Sequence, residues 1–545
     1  MSDIALFGGA RADGRLPQSA RMANALETGR TRLLLVAFLF TVGFMVVAGR
    51  LIDVTVMQAP GAPGVALAAE VLGQRADILD RNGVILATSV PIASLFADAS
   101  LIGDADQVVD LLAPIIPDLN QERARRLLAT DRRFVWVHRR LTPSQQERIN
   151  RLGIPGLEFG TEQRRIYPLG SLMAHVLGAT DIDGHGIAGI ERSMDDELLG
   201  GAPVRLTIDV RLQEILRQEL AAAIDEFSAI GGAGVVMDVR SGELLALSSL
   251  PDYDPDEIAD ADADALFNRA TLGIYEMGST FKIFTTAMAL DSGTTTIAGT
   301  FDATHPIQVG RFTINDFHAQ ARWLTVPEIF RYSSNIGSVR MALAVGTERQ
   351  QAYLRALGLL DPAPLELPEV GAPLVPSPWR EINTMTISFG HGLAVSPVQL
   401  ANAVSTVVNG GIRHPATLVP RDPASLAGDE RVISEATSDL MRRLLRLVVT
   451  DGTGRNADAE GYLVGGKTGT AEKPSGGGYN THALISSFVA AFPMNDPRYV
   501  VFIMLDEPHG TEATYGYATG GWVAAPTVRR VIERMGPLYG IAPVD

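Results

Sequence analysis

The sequence predicts an α+β fold in which one sheet is assembled from distant parts of the chain. A hairpin is predicted at 233–249, where two apolar runs flank a Ser241-Gly242 turn. Three more apolar runs near the carboxyl end have the length and composition of strands, at 462–471, 486–492 and 499–506. Strands at both ends of a region, with helices between them, indicate a mixed α+β domain.

Length and composition exclude several classes of protein. With 545 residues, the chain is long enough for more than one domain. A formal net charge of −16 argues against electrostatic binding of nucleic acid. There is no cysteine, and the nine histidines are scattered without the spacing of a zinc site. We therefore expect no metal, no cofactor and no nucleic-acid partner.

An apolar run near the amino end predicts a membrane anchor. Residues 33–49 are 17 uncharged, mostly apolar residues, and extending the helix to Val56 supplies the roughly 20 residues that a bilayer requires. Five arginines against three acidic residues precede this run, which places the amino terminus in the cytoplasm. A cleaved signal peptide is the alternative, but its candidate site at 66–68 lies well beyond the run.

The rest of the chain divides by composition. Residues 57–70 are rich in Pro, Gly and Ala, as in a linker. The region that follows contains a turn signal at 80–83 and an Arg-rich helical segment at 121–128, but nothing that looks catalytic. Composition changes at an amphipathic helix predicted over 206–227, and a last helix is predicted near 523–535. We expect four parts: a cytoplasmic tail at 1–32, a transmembrane helix at 33–56, a docking or positioning domain at 57–202 and a catalytic domain at 203–545.

Lysine is scarce in this chain. Of its 46 Lys and Arg residues only three are lysines, Lys282, Lys467 and Lys473. A buried lysine can give up its proton, whereas an arginine stays charged. Lys473 follows K-T-G-T and enters a Gly-rich loop, where we expect it to be exposed. The other two lysines are candidates for acid–base chemistry.

Ser279 and Lys282 lie three residues apart in GSTFKIFTTAMAL, which predicts a helix ending near Asp291. Side chains with this spacing share a helix face. The apolar neighbours would desolvate the amine and favour its neutral form, which can accept a hydroxyl proton. Taken alone, however, the pair favours Ser279 as a simple helix N-cap.

Two further segments carry side chains suited to one cleft. Ser333 and Asn335 lie two apart in RYSSNIGS, so extended or turn backbone directs both the same way. The sequence KTGT at 467–470 lies in a predicted strand, where a cation and hydroxyls can bind the carboxylate of an extended substrate. Segment 461–468 also matches the phosphate-loop pattern. A polar loop precedes it and a Gly-rich stretch follows, so an NTPase is the weaker interpretation.

The ordered triple S-x-x-K, S-x-N and K-T-G resembles the signature of penicillin-binding proteins and class A β-lactamases. Its serines are 54 residues apart, and 134 residues separate Ser333 from Lys467. Segments 73–91 and 164–198 resemble the two pedestal motifs of class B penicillin-binding proteins, the second including Arg165, Gly178, Gly189 and Glu191. An anchor followed by a pedestal domain argues against a free β-lactamase. SLFAD at 94–98, the short pedestal and the GGGY loop are most similar to the division-specific branch.

The resemblance implies a penicillin-binding/β-lactamase-like transpeptidase domain, with a central antiparallel sheet flanked by helices, on an elongated mixed α/β pedestal. It implies a septal peptidoglycan D,D-transpeptidase that works through an acyl-enzyme on Ser279 and is inhibited by β-lactams. The implied catalytic residues are Ser279, Lys282, Ser333, Asn335 and Lys467, and the implied substrate-binding residues are Thr468, Gly469 and Thr470. The backbone N–H groups of Ser279 and Thr470 would form the oxyanion hole.

The same resemblance implies partners and a location. The substrates are stem peptides, and a membrane-embedded SEDS-type glycosyltransferase and other division proteins would contact the anchor and pedestal. The chain would cross the bacterial inner membrane once, with a cytoplasmic amino terminus and a periplasmic catalytic domain. Three alternatives stay open: an elongation-specific class B transpeptidase, a membrane-anchored β-lactam sensor and an idle scaffold of the division machinery.

Overall fold

The computed structural model describes residues 38–47, 75–310, 312–475 and 478–544, within two compact units, Met1–Leu72 and Gly73–Asp545. In the first unit, residues 38–47 form helix α1. Among the described residues, no helix combines the length and apolar character needed to cross a membrane. The predicted tail and linker, and both ends of the predicted 33–56 span, lie outside the described residues, so the anchor stays a prediction.

The first part of the second unit is built on a five-stranded sheet. Its strands are β1 (Ile78–Leu79), β2 (Ile85–Ala97), β3 (Val135–Leu141), β4 (Leu157–Ile166) and β5 (Val204–Arg205). The long β2 pairs antiparallel with β1, β3 and β4, whereas β5 pairs parallel with β1. The predicted turn at 80–83 joins β1 to β2, and its Asp80 carboxylate accepts hydrogen bonds from the backbone of Asn82 and Val84.

Short helices accompany this sheet. They are α2 (Ala105–Leu112), α3 (Gln121–Leu128), α4 (Pro143–Leu152), α5 (Ala174–Leu177), α6 (Gly189–Ser193) and α7 (Asp195–Leu199), with 3₁₀ helices at Ala99–Leu101 and Gly170–Met173. Helix α3 confirms the Arg-rich helix predicted at 121–128. Asn120 caps it, and its buried residues are Ala124 and Leu128.

A buried group of charges joins the two pedestal motifs. Glu191 is fully buried, and its carboxylate pairs at 2.6 Å with both Arg75 and Arg165. Arg75 also pairs at 2.6 Å with Asp195. Removing one partner from such a group leaves an uncompensated buried charge, which is strongly destabilising. These contacts hold the segment before β1, strand β4 and helix α6 together.

The remaining part of this unit has a five-stranded antiparallel sheet at its centre, formed in spatial order by Gly465–Ser475, Gly478–Phe492, Tyr499–Asp506, Gly231–Asp238 and Leu244–Leu250. The strands of this region are β6 (Gly231–Asp238), β7 (Leu244–Leu250), β8 (Tyr275–Glu276), β9 (Thr300–Asp302), β10 (Ile307–Val309), β11 (Phe312–Ile314), β12 (Trp323–Thr325), β13 (Ala394–Val395), β14 (Ile412–Arg413), β15 (Glu430–Arg431), β16 (Gly465–Ser475), β17 (Gly478–Phe492) and β18 (Tyr499–Asp506). Strand β18 pairs with β6 along its whole length. The predicted sheet made from distant segments is thereby confirmed.

Helices cover both faces of the central sheet. They are α8 (Val210–Glu226), α9 (Ala263–Leu266), α10 (Lys282–Asp291), α11 (Val326–Tyr332), α12 (Asn335–Val345), α13 (Thr347–Ala356), α14 (Glu381–Ile387), α15 (Pro397–Val408), α16 (Glu435–Asp451) and α17 (Ala524–Leu538). Successive side chains of a strand point to opposite faces. Val500 and Phe502 of β18 accordingly belong to the core that contains α10 and α15, whereas Val501 and Ile503 belong to the core with α8 and α17.

Candidate active site

Ser279 lies in a 3₁₀ turn, Gly278–Phe281, that leads directly into α10. Its Oγ is 2.9 Å from the Nζ of Lys282, which is the contact that the three-residue spacing predicts. The 3₁₀ turn begins after Met277 and α10 begins after Phe281, and neither of these two described helices has an N-cap hydrogen bond from a side chain. The N-cap interpretation of Ser279 is therefore wrong.

Ser333 and Asn335 lie at the tight turn where α11 ends and α12 begins. Ser333 ends α11 in the left-handed region, with φ 58° and ψ 44°, a conformation that non-glycine residues rarely adopt. Ser334 then caps α12, its side chain accepting a hydrogen bond from Gly337 N. The reversal directs both polar groups toward α10, where Lys282 Nζ lies 3.0 Å from Ser333 Oγ and 2.7 Å from Asn335 Oδ1.

The oxygens around Lys282 constrain what its amine can do. Besides both serine hydroxyls and the Asn335 amide, the carbonyl oxygen of Ser333 lies 2.6 Å from Nζ. That carbonyl and Asn335 Oδ1 can only accept hydrogen bonds. A neutral amine with its two N–H bonds on these oxygens keeps its lone pair for a hydroxyl proton. The geometry therefore suits a base acting on Ser279.

Lys467 supplies a second buried amine from strand β16. Its Nζ lies 3.0 Å from Ser333 Oγ, so this hydroxyl sits between the two lysines. Lys282 is 1% exposed and Lys467 is 0% exposed. Burial lowers the pKa of Lys467 to about 7. Burial, and then the Lys467 charge, lower the pKa of Lys282 well below its ordinary value, as its apolar neighbours predict.

Two glycines allow β16 to lie against the turn that carries Ser279. A Cβ on Gly278 would lie 2.4 Å from the carbonyl oxygen of Thr470, and a Cβ on Gly469 would lie 2.7 Å from that of Met277. Real Cβ atoms do not approach backbone oxygens this closely. The predicted close approach at Gly469 is thus present. It brings the backbone of Thr470 next to Ser279.

The two threonines of the K-T-G-T segment face the same region. Thr468 Oγ1 is 2.9 Å from Thr453 Oγ1 and 3.4 Å from Lys467 Nζ. Thr470 Oγ1 accepts a hydrogen bond from Gly520 N at 3.1 Å. These hydroxyls and the nearby amine are suited to bind a carboxylate.

The phosphate-loop match does not correspond to a phosphate loop. That motif requires a loop that follows a strand and opens a helix. Here its Lys467 and Thr468 lie within β16, which runs on to Ser475 and pairs antiparallel with β17. The NTPase interpretation is therefore wrong. Within the described residues, no three His, Cys, Asp or Glu side chains form a group that could hold a metal.

Lys473 differs from its prediction. It lies on β16 and is half-buried rather than exposed in a loop. Its Nζ is 2.8 Å from Asp506 Oδ1 and 2.7 Å from Glu507 Oε1. The prediction is wrong because the β16–β17 hairpin extends through Lys473, which places it beside the acidic end of β18.

Several residues near the site gave no recognisable signal in the sequence. Asn315 and Asp316 contact the Ser333–Asn335 turn through hydrogen bonds. The His391 ring stacks on Tyr479 of β17, with centroids 5.3 Å apart. Burial, and then the charge of Lys282, lower the pKa of this histidine. These residues belong to segments without a fixed spacing from the triple, so only the tertiary structure brings them to the site.

Comparison with known proteins identifies two matching regions of the chain, one at 70–220 and one at 232–533. Residues 232–533 match the model of the penicillin-binding protein transpeptidase domain, which is more than half of the chain. The chain belongs to the penicillin-binding protein transpeptidase family. Residues 70–220 match the model of the penicillin-binding protein dimerisation domain. The family suggested by the three motifs is thus confirmed.

Relatives and solved structures agree with this assignment. The chain is 42% identical to the probable peptidoglycan D,D-transpeptidase FtsI of Caulobacter vibrioides, over 86% of this chain and 82% of that protein. It is 30% identical to the peptidoglycan D,D-transpeptidase FtsI of Escherichia coli K12, over 84% and 82%. Penicillin-binding protein 3 of Mycobacterium tuberculosis, complexed with aztreonam, has a TM-score of 0.69 at 25% identity, over 87% of this chain and 98% of that chain.

Proposed function

We propose that this family member is a peptidoglycan D,D-transpeptidase that crosslinks stem peptides in the division septum. The observation that carries the proposal is the position of the Lys282 amine, 2.9 Å from Ser279 Oγ in a buried site that lowers its pKa. A serine beside a neutral amine is an activated nucleophile. The relatives named D,D-transpeptidase support the same activity.

The first half-reaction forms an acyl-enzyme. Ser279 Oγ attacks the carbonyl carbon of the penultimate D-Ala, and its proton passes to Lys282. The backbone N–H groups of Ser279 and Thr470 stabilise the negative charge on the former carbonyl oxygen, which is commonly the largest contribution of such sites. The carbon–nitrogen bond then breaks. A proton delivered through Lys467 and Ser333 allows the terminal D-Ala to leave as an amine.

The second half-reaction makes the crosslink. The side-chain amine of another stem peptide attacks the ester on Ser279, its proton is removed, and the serine leaves with a proton restored. Asn335 orients the substrate and Lys282, while Thr468, Gly469 and Thr470 hold the donor peptide along β16. A β-lactam would acylate Ser279 in the same way, because its strained amide mimics the peptide. The neighbour solved with aztreonam supports this proposal.

The test is labelling by a fluorescent penicillin. Wild-type protein should form a covalent adduct that survives denaturation and is released slowly. Ser279→Ala should form none while retaining the wild-type melting temperature. A wild-type protein that is never labelled would contradict the transpeptidase and favour the idle scaffold. Labelling without crosslinking of purified stem peptides would favour a β-lactam sensor.

The septal role is the finer part of the proposal. It is supported by SLFAD at 94–98 and by the relatives named FtsI. Depletion in the host bacterium should produce filaments, because septa fail while side walls still grow. Round cells would instead assign the chain to elongation.

The proposed arrangement is a cytoplasmic tail at 1–32, a single anchor at 33–56, a pedestal at 57–202 and a periplasmic transpeptidase domain at 203–545. The arginine excess before residue 33 supports this orientation. We further propose that anchor and pedestal contact a SEDS-type glycosyltransferase and other division proteins. Protease added to spheroplasts should degrade the catalytic domain and leave about the first 30 residues protected. A protected catalytic domain would contradict the topology. Chemical crosslinking from pedestal residues to neighbouring proteins tests the proposed partners.

A further inference from the structure

The segment after β11 contacts the Ser333–Asn335 turn through hydrogen bonds. Asp316 Oδ2 accepts a hydrogen bond from Ser334 Oγ at 2.7 Å, and Asp316 Oδ1 accepts one from Ile336 N at 2.9 Å. The neighbouring carbonyl of Asn315 accepts a hydrogen bond from Asn335 Nδ2 at 2.8 Å. Three successive residues of the turn region are therefore held by two successive residues of another segment.

These contacts act on the groups that surround Lys282. The side-chain amide of Asn335 has an oxygen that accepts hydrogen bonds and a nitrogen that donates them. Because its nitrogen donates to Asn315, its oxygen is the end presented to Lys282, at 2.7 Å. Ser333 must hold a left-handed conformation, which is strained for a residue with a side chain. Such a conformation persists only when neighbouring contacts enforce it.

We propose that Asp316 is a positioning residue for acyl transfer, which holds Ser334 and Ile336 so that Ser333 and Asn335 present their oxygens to Lys282. Asp316 does not touch the reacting atoms in this arrangement. It acts through the turn. The proposal goes beyond the S-x-N motif by assigning a residue outside all three motifs, and it rests on the proposed acyl-transfer function.

The charge of Asp316 adds a second effect. Among the described residues, three charged or titratable groups face Lys282: Lys467 from β16, Asp316 from the segment after β11, and His391 from the turn after α14. Burial, and then the Lys282 charge, lower the pKa of His391 to about 4, so this ring is neutral at pH 7. Asp316 raises the pKa of Lys282, opposing burial and the Lys467 charge. Removing the Asp316 charge should therefore let Lys282 become neutral at lower pH.

The experiment separates positioning from charge with two substitutions at one residue. Asp316→Asn has the same shape and keeps one oxygen to accept from Ile336 N, but it loses the charge. Asp316→Ala loses both contacts. Asp302→Asn is the matched control: its Oδ1 also accepts from a nearby backbone N–H, that of Thr304. The charge of Asp302 is not among those that shift the pKa of Lys282.

The measurement is the second-order rate constant of penicillin acylation across pH, with a thermal melt for each variant. For Asp316→Ala we expect a loss of about 100-fold, the effect of a small misplacement of catalytic groups. For Asp316→Asn we expect a smaller loss and an acidic limb moved to lower pH, which a merely structural role would not produce. Asp302→Asn should follow the wild-type profile.

The outcomes distinguish this inference from the proposed function. Failure of wild-type protein to acylate would overturn the function itself. Wild-type acylation with an unchanged limb in Asp316→Asn would overturn the charge effect of Asp316, and an Asp316→Ala variant that reacts as fast as wild type would overturn its positioning role. If Asp316→Ala does not fold, the Asp316→Asn profile decides, because this variant preserves shape and one of the two contacts.

Discussion

The Ser333 hydroxyl lies 3.0 Å from Lys282 Nζ and 3.0 Å from Lys467 Nζ. Both amines are buried and both have lowered pKa values, yet their surroundings differ. Lys282 has Ser279 and two acceptor-only oxygens within 3 Å. Lys467 has Ser333, with the oxygens of Thr468 farther away. We assign proton removal from Ser279 to the first amine and a partly electrostatic task to the second.

Arginine substitutions separate these two tasks. Lys282→Arg keeps the charge but cannot act as a base, because a guanidinium stays protonated. We expect it to lose acylation by about 10²–10⁴-fold, the usual contribution of a general base. Lys467→Arg is the matched control, since both lysines are almost completely buried and both substitutions place a larger side chain in a buried position. It should retain more activity. Second-order acylation rates, with thermal melts, test the difference, and equal rates would remove the base role from Lys282.

The pH dependence of acylation should show the loss of a proton from each of the two amines. If neutral Lys282 is the base, as we propose, the rate rises with pH as that lysine loses its proton, and this limb lies well below the ordinary pKa of lysine. If charged Lys467 is also needed, the rate falls again above about pH 7, where it loses its proton. Lys467→Arg should lack this descending limb because arginine stays charged. Rates measured from about pH 5 to about pH 10 report these groups in the free enzyme.

At the scale of elements, the site depends on an edge strand lying directly against the start of a helix. Strand β16 contributes Lys467 and Thr470, and the 3₁₀ turn before α10 contributes Ser279. The contact needs residues without side chains on both sides, Gly278 and Gly469. The distance between nucleophile and strand is thus set by backbone packing rather than by a polar contact.

Gly469→Ala tests this packing. The added methyl would lie 2.4 Å from Ser487 Oγ and 2.7 Å from the Met277 carbonyl oxygen. We expect β16 to move away from the turn, with stability reduced by about 1–3 kcal/mol, the usual cost of overpacking, and with acylation reduced more strongly than stability. Gly478→Ala in the same hairpin is the control, since nothing lies within 4 Å of its added methyl. Similar behaviour of the two variants would argue against the close approach.

At the scale of the molecule, pedestal and catalytic region belong to one compact unit, Gly73–Asp545. Several contacts between them are specific: Gly189 N donates to the Glu369 carboxylate, and Ser193 Oγ donates to the carbonyl of Glu366. The unit also contains Ser279 and every other proposed site residue. We therefore expect this unit to fold and to be acylated without the first 72 residues.

A fragment comprising residues 73–545 should accordingly be soluble, melt cooperatively and be acylated by penicillin at a rate close to that of the full-length protein in detergent. The physical reason is that the contacts that define the site join residues within Gly73–Asp545. Circular dichroism and acylation kinetics on both proteins check this expectation. A fragment that folds but is acylated much more slowly would mean that the first 72 residues support the site.

The sequence alone was sufficient to predict several of the elements and the chemistry of the main groups. Alternation and helical spacing are local properties, so the hairpin at 233–249, the strand at 499–506 and the helix at 121–128 were predicted closely. The three motifs have recognisable spacing, and they predicted a serine beside a lysine. The start of β16 was misplaced by three residues, at Gly465 instead of residue 462, because local pattern does not specify where pairing with β17 begins.

Tertiary structure alone decided how the groups act together. The left-handed Ser333, the two-lysine contact on its hydroxyl and the Asp316 hydrogen bonds depend on segments up to 134 residues apart, and no local rule relates such segments. Burial likewise depends on which helices close over a side chain, so the lowered pKa of Lys467 and the ion pairs of Lys473 required the folded chain, whereas the apolar neighbours of Lys282 already predicted its lowered pKa. A charge responds to everything packed around it, whereas a sequence pattern describes only its neighbours along the chain.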